Sequence, residues 1–294
     1  MIYEKIQICE KARLTTYLTK PNDGKSRPAI IICPGGGYVD TTPNEAECVA
    51  LEFVRSGYQC FVLDYSTYNR NYGHSHYPQP LLELGKSVEL IRKRAQEWWI
   101  EEEQVFLLGF SGGGNLIANY GNRWKWLAAE LELEEGMLKV AGLVLCYPVL
   151  DWKKEIEDLN DYAKEIEMGI INGDTNKLMA AKELADKANY ALFNMTTPTE
   201  EQMKKVSPCH SVNQDTPPSF IWHTVTDDMV SVEQIYRYVS ILNQQGIGHE
   251  LHVFTDGHHG LSLANACSAT KEKNINQSVN QWVALARQWL SRFM

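Results

Sequence analysis

The chain lacks any apolar run of the roughly 18–20 residues that a membrane-crossing helix requires. It also has no Cys-x-x-Cys pair, no internal repeat, no low-complexity tract and no excess of basic charge. Each absence removes a class of protein. The opening residues Met1-Ile2-Tyr3-Glu4-Lys5 offer no apolar core for a secretory signal. Seven cysteines, an odd number, are scattered singly, which excludes a zinc ribbon or a dithiol redox motif. Cys33 and Cys146 fall within apolar runs, where a free thiol behaves as a small hydrophobe. With 28 Lys and Arg against 37 Asp and Glu, the formal net charge of -9 argues against a nucleic-acid partner. The expectation is a cytoplasmic, reduced, soluble protein with neither nucleic-acid nor membrane partners. Hydrophobic residues at 44% and charged residues at 22% exclude a disordered or fibrous chain. At 294 residues, one large domain, or one domain with an insertion, buries a core without disulfide staples.

Short continuous apolar runs recur at Ala29 to Ile32, Cys60 to Leu63, Val105 to Leu108, Ala141 to Cys146 and Ser219 to Trp222. Such runs suit strands buried on both faces of a parallel sheet. Ile2 to Ile8 and Leu14 to Thr19 predict two antiparallel strands extending one edge, followed by a turn at Pro21-Asn22-Asp23-Gly24. His249 to Phe254 alternates polar and apolar residues, as a strand near the sheet edge does. Helical patterns lie between the runs. Leu81, Leu84, Val88 and Ile91 step by three and four, and Glu45 to Ser56, Val232 to Gln245 and Ser278 to Phe293 behave alike. Alternation of this kind predicts an α/β fold with a mostly parallel sheet covered on both faces. Asp151 to Val206 breaks the rhythm, with amphipathic patterns at Glu155 to Glu167 and Lys177 to Ala191 and no convincing strand. It reads as a helical insertion at residues 151–206, packed over one end of the sheet within a single domain spanning 1–294.

The strongest chemical signal is Gly109-Phe110-Ser111-Gly112-Gly113-Gly114. Gly-x-Ser-x-Gly alone is a weak pattern, but here it follows a buried strand and precedes a helical segment, Asn115 to Tyr120. That is the setting of a nucleophile elbow, where a tight turn exposes the serine hydroxyl at a helix N-terminus. The competing reading is a plain glycine-rich turn. A phosphate-binding loop is disfavoured because no Gly-Lys-Ser/Thr follows and Gly-x-Gly-x-x-Gly is absent. Pro34-Gly35-Gly36-Gly37-Tyr38 directly follows the first buried strand. Consecutive glycines can aim backbone N–H groups into one cavity and, with the amide after the serine, hold an oxyanion. The plainer alternative is a loop that needs positive φ.

Two loops further along the chain complete an order. The strand at Ser219 to Trp222 leads to Asp227-Asp228, and the strand at His249 to Phe254 leads to Asp256-Gly257-His258-His259-Gly260. Each loop alone is ordinary turn chemistry. Together with Ser111 they give the chain order serine, acid, histidine, each just past a strand. Spacing does not choose between Asp227 and Asp228, or between His258 and His259. His210 and His223, single histidines near strands, read as structural residues.

With these residues in place the chain resembles the α/β-hydrolase superfamily. It is most similar to the esterase/lipase branch that includes bacterial acetyl-xylan and other carbohydrate-ester esterases, some labelled xylanase-like. The resemblance runs from about Ala29 to the C-terminus. It rests on Cys33-Pro34-Gly35-Gly36-Gly37-Tyr38, Val62-Leu63-Asp64-Tyr65, Tyr77-Pro78-Gln79-Pro80-Leu81, Gly109-Phe110-Ser111-Gly112-Gly113, Tyr147-Pro148-Val149, Thr216-Pro217-Pro218-Ser219-Phe220 and Gly257-His258-His259-Gly260. It implies Ser111 as nucleophile, Asp227 as acid with Ser231 in place of the usual proline, and His259 as base. It implies oxyanion donors at the amides of Gly36, Gly37 and Gly112. Pro34 stands where many relatives have histidine, and Gly112 where alanine is common. The reaction so implied is cleavage of carboxylic esters, short-chain acyl or acetyl esters of sugars among them, with a small-molecule substrate and no metal or organic cofactor.

Tyr65, Tyr68, Tyr72, His74, His76 and Tyr77 crowd one loop. Aromatic faces there either stack on sugar rings or pack the loop onto the sheet. The helices of 151–206 either cover the serine and restrict acyl length, or form a solvated face or a homo-oligomer contact. Two rival functions remain open at this stage: a serine peptidase of the same fold, and a non-catalytic ligand-binding member.

Overall fold

The computed structural model describes residues 1–70, 75–169 and 175–294. Eight strands form one sheet: β1 (Lys5–Gln7), β2 (Arg13–Tyr17), β3 (Arg27–Cys33), β4 (Gln59–Asp64), β5 (Ile100–Phe110), β6 (Gly142–Cys146), β7 (Ser219–Thr224) and β8 (His249–Phe254). Their spatial order is β1-β2-β4-β3-β5-β6-β7-β8. β1 and β2 are antiparallel and close one edge, while β3 to β8 are mutually parallel. β8 forms the opposite edge, and every one of its residues is half-buried, without the in-and-out alternation its sequence suggests.

The helices are α1 (Glu47–Val54), α2 (Gln79–Lys93), α3 (Ser111–Glu130), α4 (Trp152–Glu167), α5 (Thr175–Phe193), α6 (Glu200–Lys205), α7 (Val232–Gln244), α8 (Gln277–Asn280) and α9 (Trp282–Leu290). Among the described residues, no helix is long and apolar enough to cross a membrane.

Alternate strand residues point to opposite faces, so an apolar run fills two cores at once. Ile31, Leu107, Leu145 and Ile221 face one core, which α2, α3 and α7 close with Leu84, Val88, Ile117, Ile235 and Leu242. Ile30, Ile32, Phe106, Leu108, Val144 and Phe220 face the other, closed by Val49 and Phe53 of α1 and by Trp282, Ala286 and Trp289 of α9. This is the α/β-hydrolase architecture, with the parallel strands all ending at one edge. The turns carrying Ser111, Asp227 and His259 follow β5, β7 and β8 at that edge, and α4, α5 and α6 lie between β6 and β7 in the chain.

Candidate active site

The turn after β5 positions Ser111. Its φ of 49° lies in the left-handed region, costly for a residue with a side chain, and helix α3 begins at the same residue. The glycines behind it make the bend possible. A Cβ on Gly113 would stand 2.1 Å from the Cys33 carbonyl oxygen, so only glycine lets α3 approach the end of β3. The helix starts at Ser111 and runs twenty residues, well beyond the Asn115 to Tyr120 segment expected from periodicity.

Three side chains from three loops meet here. Ser111 Oγ lies 2.8 Å from His259 Nε2, and His259 Nδ1 lies 2.8 Å from Asp227 Oδ2. The carboxylate opposite Nδ1 places the ring proton there, which leaves Nε2 free to accept from the serine hydroxyl. Asp227 is fixed by backbone N–H groups of Met229 and Val230, both 2.9 Å from Oδ1, and its side chain is 1% exposed. The structure separates the paired candidates. Asp228 accepts the backbone N–H of His259 at 2.9 Å and stays exposed. His258 turns its Nδ1 to the His259 carbonyl, 2.7 Å away, and does not join the relay. His223 is fully buried beneath the site, where Nε2 donates to the Val230 carbonyl at 2.9 Å and lies 3.7 Å from Asp227 Oδ2. His210 is not part of the site.

Burial alone would raise the Asp227 carboxyl; the pairing with His259, the proximity of His223 and the loop amides outweigh it and hold the group below its ordinary value. Burial pulls the His259 imidazole down, but Asp227, then Glu155 and Glu45, raise it to about 9.

Ser111 and His259 open on a cavity of about 220 Å³. Gly36 and Gly37 form one wall. Gly112 sits behind them: a Cβ there would stand 3.0 Å from the Gly37 amide nitrogen. Its own N–H belongs to the first turn of α3, where backbone donors have no partner within the helix. The remaining wall is largely apolar and comes from α4 (Trp152, Ile156, Leu159) and α5 (Leu184, Ala188).

Two acids in this cavity were not anticipated from the sequence. Glu45 is buried, and accepts the Gly35 N–H at 2.7 Å and the Tyr147 hydroxyl at 2.6 Å. The Tyr147 oxygen in turn accepts the Ser262 N–H at 2.9 Å, and its ring meets the His259 ring edge to face at 4.9 Å. Glu45 thereby ties the glycine loop to the end of β6 and to the histidine loop. Glu155 on α4 is buried, and Gln234 donates to its Oε2 at 3.1 Å. Burial raises its carboxyl most, the charge of His259 opposes that, and the group lies at about 7. A signal for Glu155 existed: it shares a helix face with Trp152 and Leu159 at three- and four-residue spacing, an acid on an apolar stripe. No comparable signal marks Glu45.

Of the aromatic loop, Tyr65 is fully buried and donates to the Pro34 carbonyl at 2.7 Å, so it braces the glycine loop. Tyr68 meets the Tyr190 ring edge to face, and His76 bonds the Ala191 carbonyl. Tyr72 and His74 lie outside the described residues. Among the described residues, this group adds no wall to the catalytic cavity.

Asp151, Cys209 and His210 bring three potential metal donors within 4.8 Å of one another. They make a poor cation site. Asp151 already accepts from the Lys154 N–H and pairs with Arg237, and burial pushes the Cys209 thiol up to about 12, so it stays protonated.

The BD-FAE family model matches residues 14–242, which include Ser111 and Asp227 and stop short of His259. The chain is 28% identical over 245 residues to endo-1,4-beta-xylanase B of Butyrivibrio fibrisolvens, covering 83% of this chain and 34% of that protein. The chain thus spans about half or less of the length of the curated relatives it matches. A sugar hydrolase from Lactococcus lactis superposes with a TM-score of 0.76 at 31% identity, over 99% of this chain and 98% of that one. An acetyl ester-xyloside bifunctional hydrolase from Caldicellulosiruptor lactoaceticus gives a TM-score of 0.74 at 25% identity, over 98% and 96%.

Proposed function

The chain belongs to the BD-FAE family, and on that premise we propose that it is a serine esterase cleaving short-chain acyl or acetyl esters of sugars. The observation that carries this is the unbroken relay from Ser111 through His259 to the buried Asp227, opening on a small cavity. His259 takes the proton of Ser111 as Oγ attacks the ester carbonyl, and Asp227 holds the imidazolium that forms. The amides of Gly36, Gly37 and Gly112 stabilise the tetrahedral oxyanion. The alcohol departs with the proton from His259. A water molecule, deprotonated by the same ring, then releases the acid from the serine.

The cavity of about 220 Å³ lies below the roughly 300–1,000 Å³ of ordinary small-molecule pockets, which favours a short acyl group. The helices α4 and α5 act as a cap that sets this limit. The acetyl ester named for the Caldicellulosiruptor enzyme agrees with that size. Glycosidase chemistry, suggested by the xylanase relative, needs two available carboxyl groups. Here both oxygens of Glu45 are already engaged by Gly35 and Tyr147. A panel of p-nitrophenyl esters of increasing acyl length, run beside acetylated xylo-oligosaccharides and peptide substrates, tests the reading. kcat/KM is expected to be highest for acetate and to fall with chain length. Preference for long acyl chains, or cleavage of peptides alone, would overturn it.

The charge around His259 sets the pH profile. The base must be neutral to accept a proton, so the acid limb of kcat/KM follows the pKa of the ring, which its carboxylate neighbours raise to about 9. Glu155→Gln removes one of these charges, lowers the imidazole pKa and moves the limb to lower pH, by on the order of half a unit. Below about pH 7 Glu155 is itself protonated, so the two profiles converge there. A limb that stays in place or moves to higher pH contradicts this account.

A further inference from the structure

A second cavity, of about 750 Å³, lies between the start of α2, the middle of α3 and the ends of α5 and α6. It shares no lining residue with the catalytic cavity. Among the described residues, its formally charged lining groups are Arg123 and Lys205 and no carboxylate lines it, although the chain as a whole carries a net charge of -9.

Arg123 is held in place without being neutralised. Among the described residues its guanidinium donates to three neutral oxygens: Asn119 Oδ1 at 2.6 Å, Ser211 Oγ at 2.8 Å and the Lys205 carbonyl at 2.9 Å. A guanidinium has five N–H groups, so two remain for a ligand. Three residues further on, on the same face of α3, stands Trp126, which is 43% exposed. Its indole thus offers an open apolar face on the cavity wall. Gln202 and Asn194 add neutral polar groups to the lining.

We propose that this cavity is a non-catalytic binding site for a uronic-acid unit. The pyranose ring lies against Trp126, the carboxylate meets the Arg123 fork with Lys205 beside it, and the hydroxyls reach Gln202 and Asn194. Each part of the ligand answers a feature of the wall. A planar, weakly hydrated guanidinium pairs geometrically with a carboxylate. A large apolar face with a polar margin suits a sugar ring better than a bare inorganic anion. The site stands apart from ester hydrolysis, since binding is measured without turnover.

Isothermal titration of the full chain with glucuronate, glucose and inorganic phosphate tests it. Glucuronate is expected to bind about tenfold more tightly than either of the others, since one loses the charged contact and the other the stacked ring. Trp126→Ala and Lys205→Glu, at surface positions outside the catalytic cavity, are each expected to weaken glucuronate about tenfold while leaving p-nitrophenyl acetate turnover unchanged. Arg123→Lys keeps the charge but not the fork, and is expected to bind glucuronate no better than glucose. Equal binding of glucose and glucuronate removes the anion site. Equal binding of phosphate removes the sugar, and undiminished glucuronate binding in the Trp126→Ala, Lys205→Glu double variant places the ligand elsewhere. Failure of glucuronate to bind overturns the proposal outright.

Discussion

Ser111→Ala is expected to cut p-nitrophenyl acetate turnover by on the order of 10⁵- to 10⁶-fold while leaving the protein folded. The size of the loss follows from the relay. With Oγ gone, His259 has no alcohol to deprotonate, and only binding and the oxyanion donors remain. The fold survives because the hydroxyl takes no part in the core. Its hydrogen bond here is to His259, and alanine keeps the Cβ that the left-handed turn already accommodates. Circular dichroism and thermal unfolding close to those of the parent would establish that the loss is chemical. A fluorophosphonate probe should label the parent chain and not the variant. Labelling of both would move the nucleophile to another residue. Labelling of neither, with no turnover in the parent, would favour the binding-protein alternative.

Much of this site was legible because hydrolysis on an open sheet needs its groups at strand ends, and strand ends are visible as apolar runs that stop at glycine or aspartate. β3, β4 and β5 coincide with such runs, β6 and β7 with apolar runs that stop at Tyr147 and His223, and Ser111, Asp227 and His259 stand just past three strands. Of the residues that support the site from a distance in sequence, Glu155 left only the mark of an acid on an apolar helix stripe, and Glu45 left none. Glu45 meets Tyr147 across 102 residues, and Glu155 meets Gln234 across 79. Neither pairing leaves a periodic trace, since each depends on how separate loops and helices settle over the sheet edge. The choice within Asp227-Asp228 was closed to spacing for a related reason. Adjacent residues in a loop face different ways, and only the backbone path decides which carboxylate turns inward. The length of α3 was underestimated because Gly112-Gly113-Gly114 reads as a turn locally. Tertiary packing overrides that weak preference, since the glycines let the helix press against the end of β3.

Asp227→Asn is expected to lower kcat by about 10⁴-fold, whereas Asp228→Asn should cost less than about tenfold. The two carboxylates are neighbours in sequence and do different work. Asp227 Oδ2 accepts the His259 Nδ1 proton, which fixes the tautomer whose Nε2 faces Ser111. An asparagine amide can turn its N–H₂ toward Nδ1, and the imidazole proton then moves to Nε2, where it confronts the serine hydroxyl donor to donor. Charge is lost as well, and with it the stabilisation of the imidazolium that forms during attack. Asp228 contributes one acceptor, Oδ1, to the His259 backbone N–H, and an asparagine carbonyl supplies the same acceptor. Asp228→Ala removes that acceptor and loosens the histidine loop, so its expected loss is larger than that of Asp228→Asn and still far below that of Asp227→Asn. Steady-state kinetics on the three variants separates the roles. A greater loss at Asp228 than at Asp227 would mean that the histidine loop rearranges in solution, and the relay would then have to be redrawn around the exposed carboxylate.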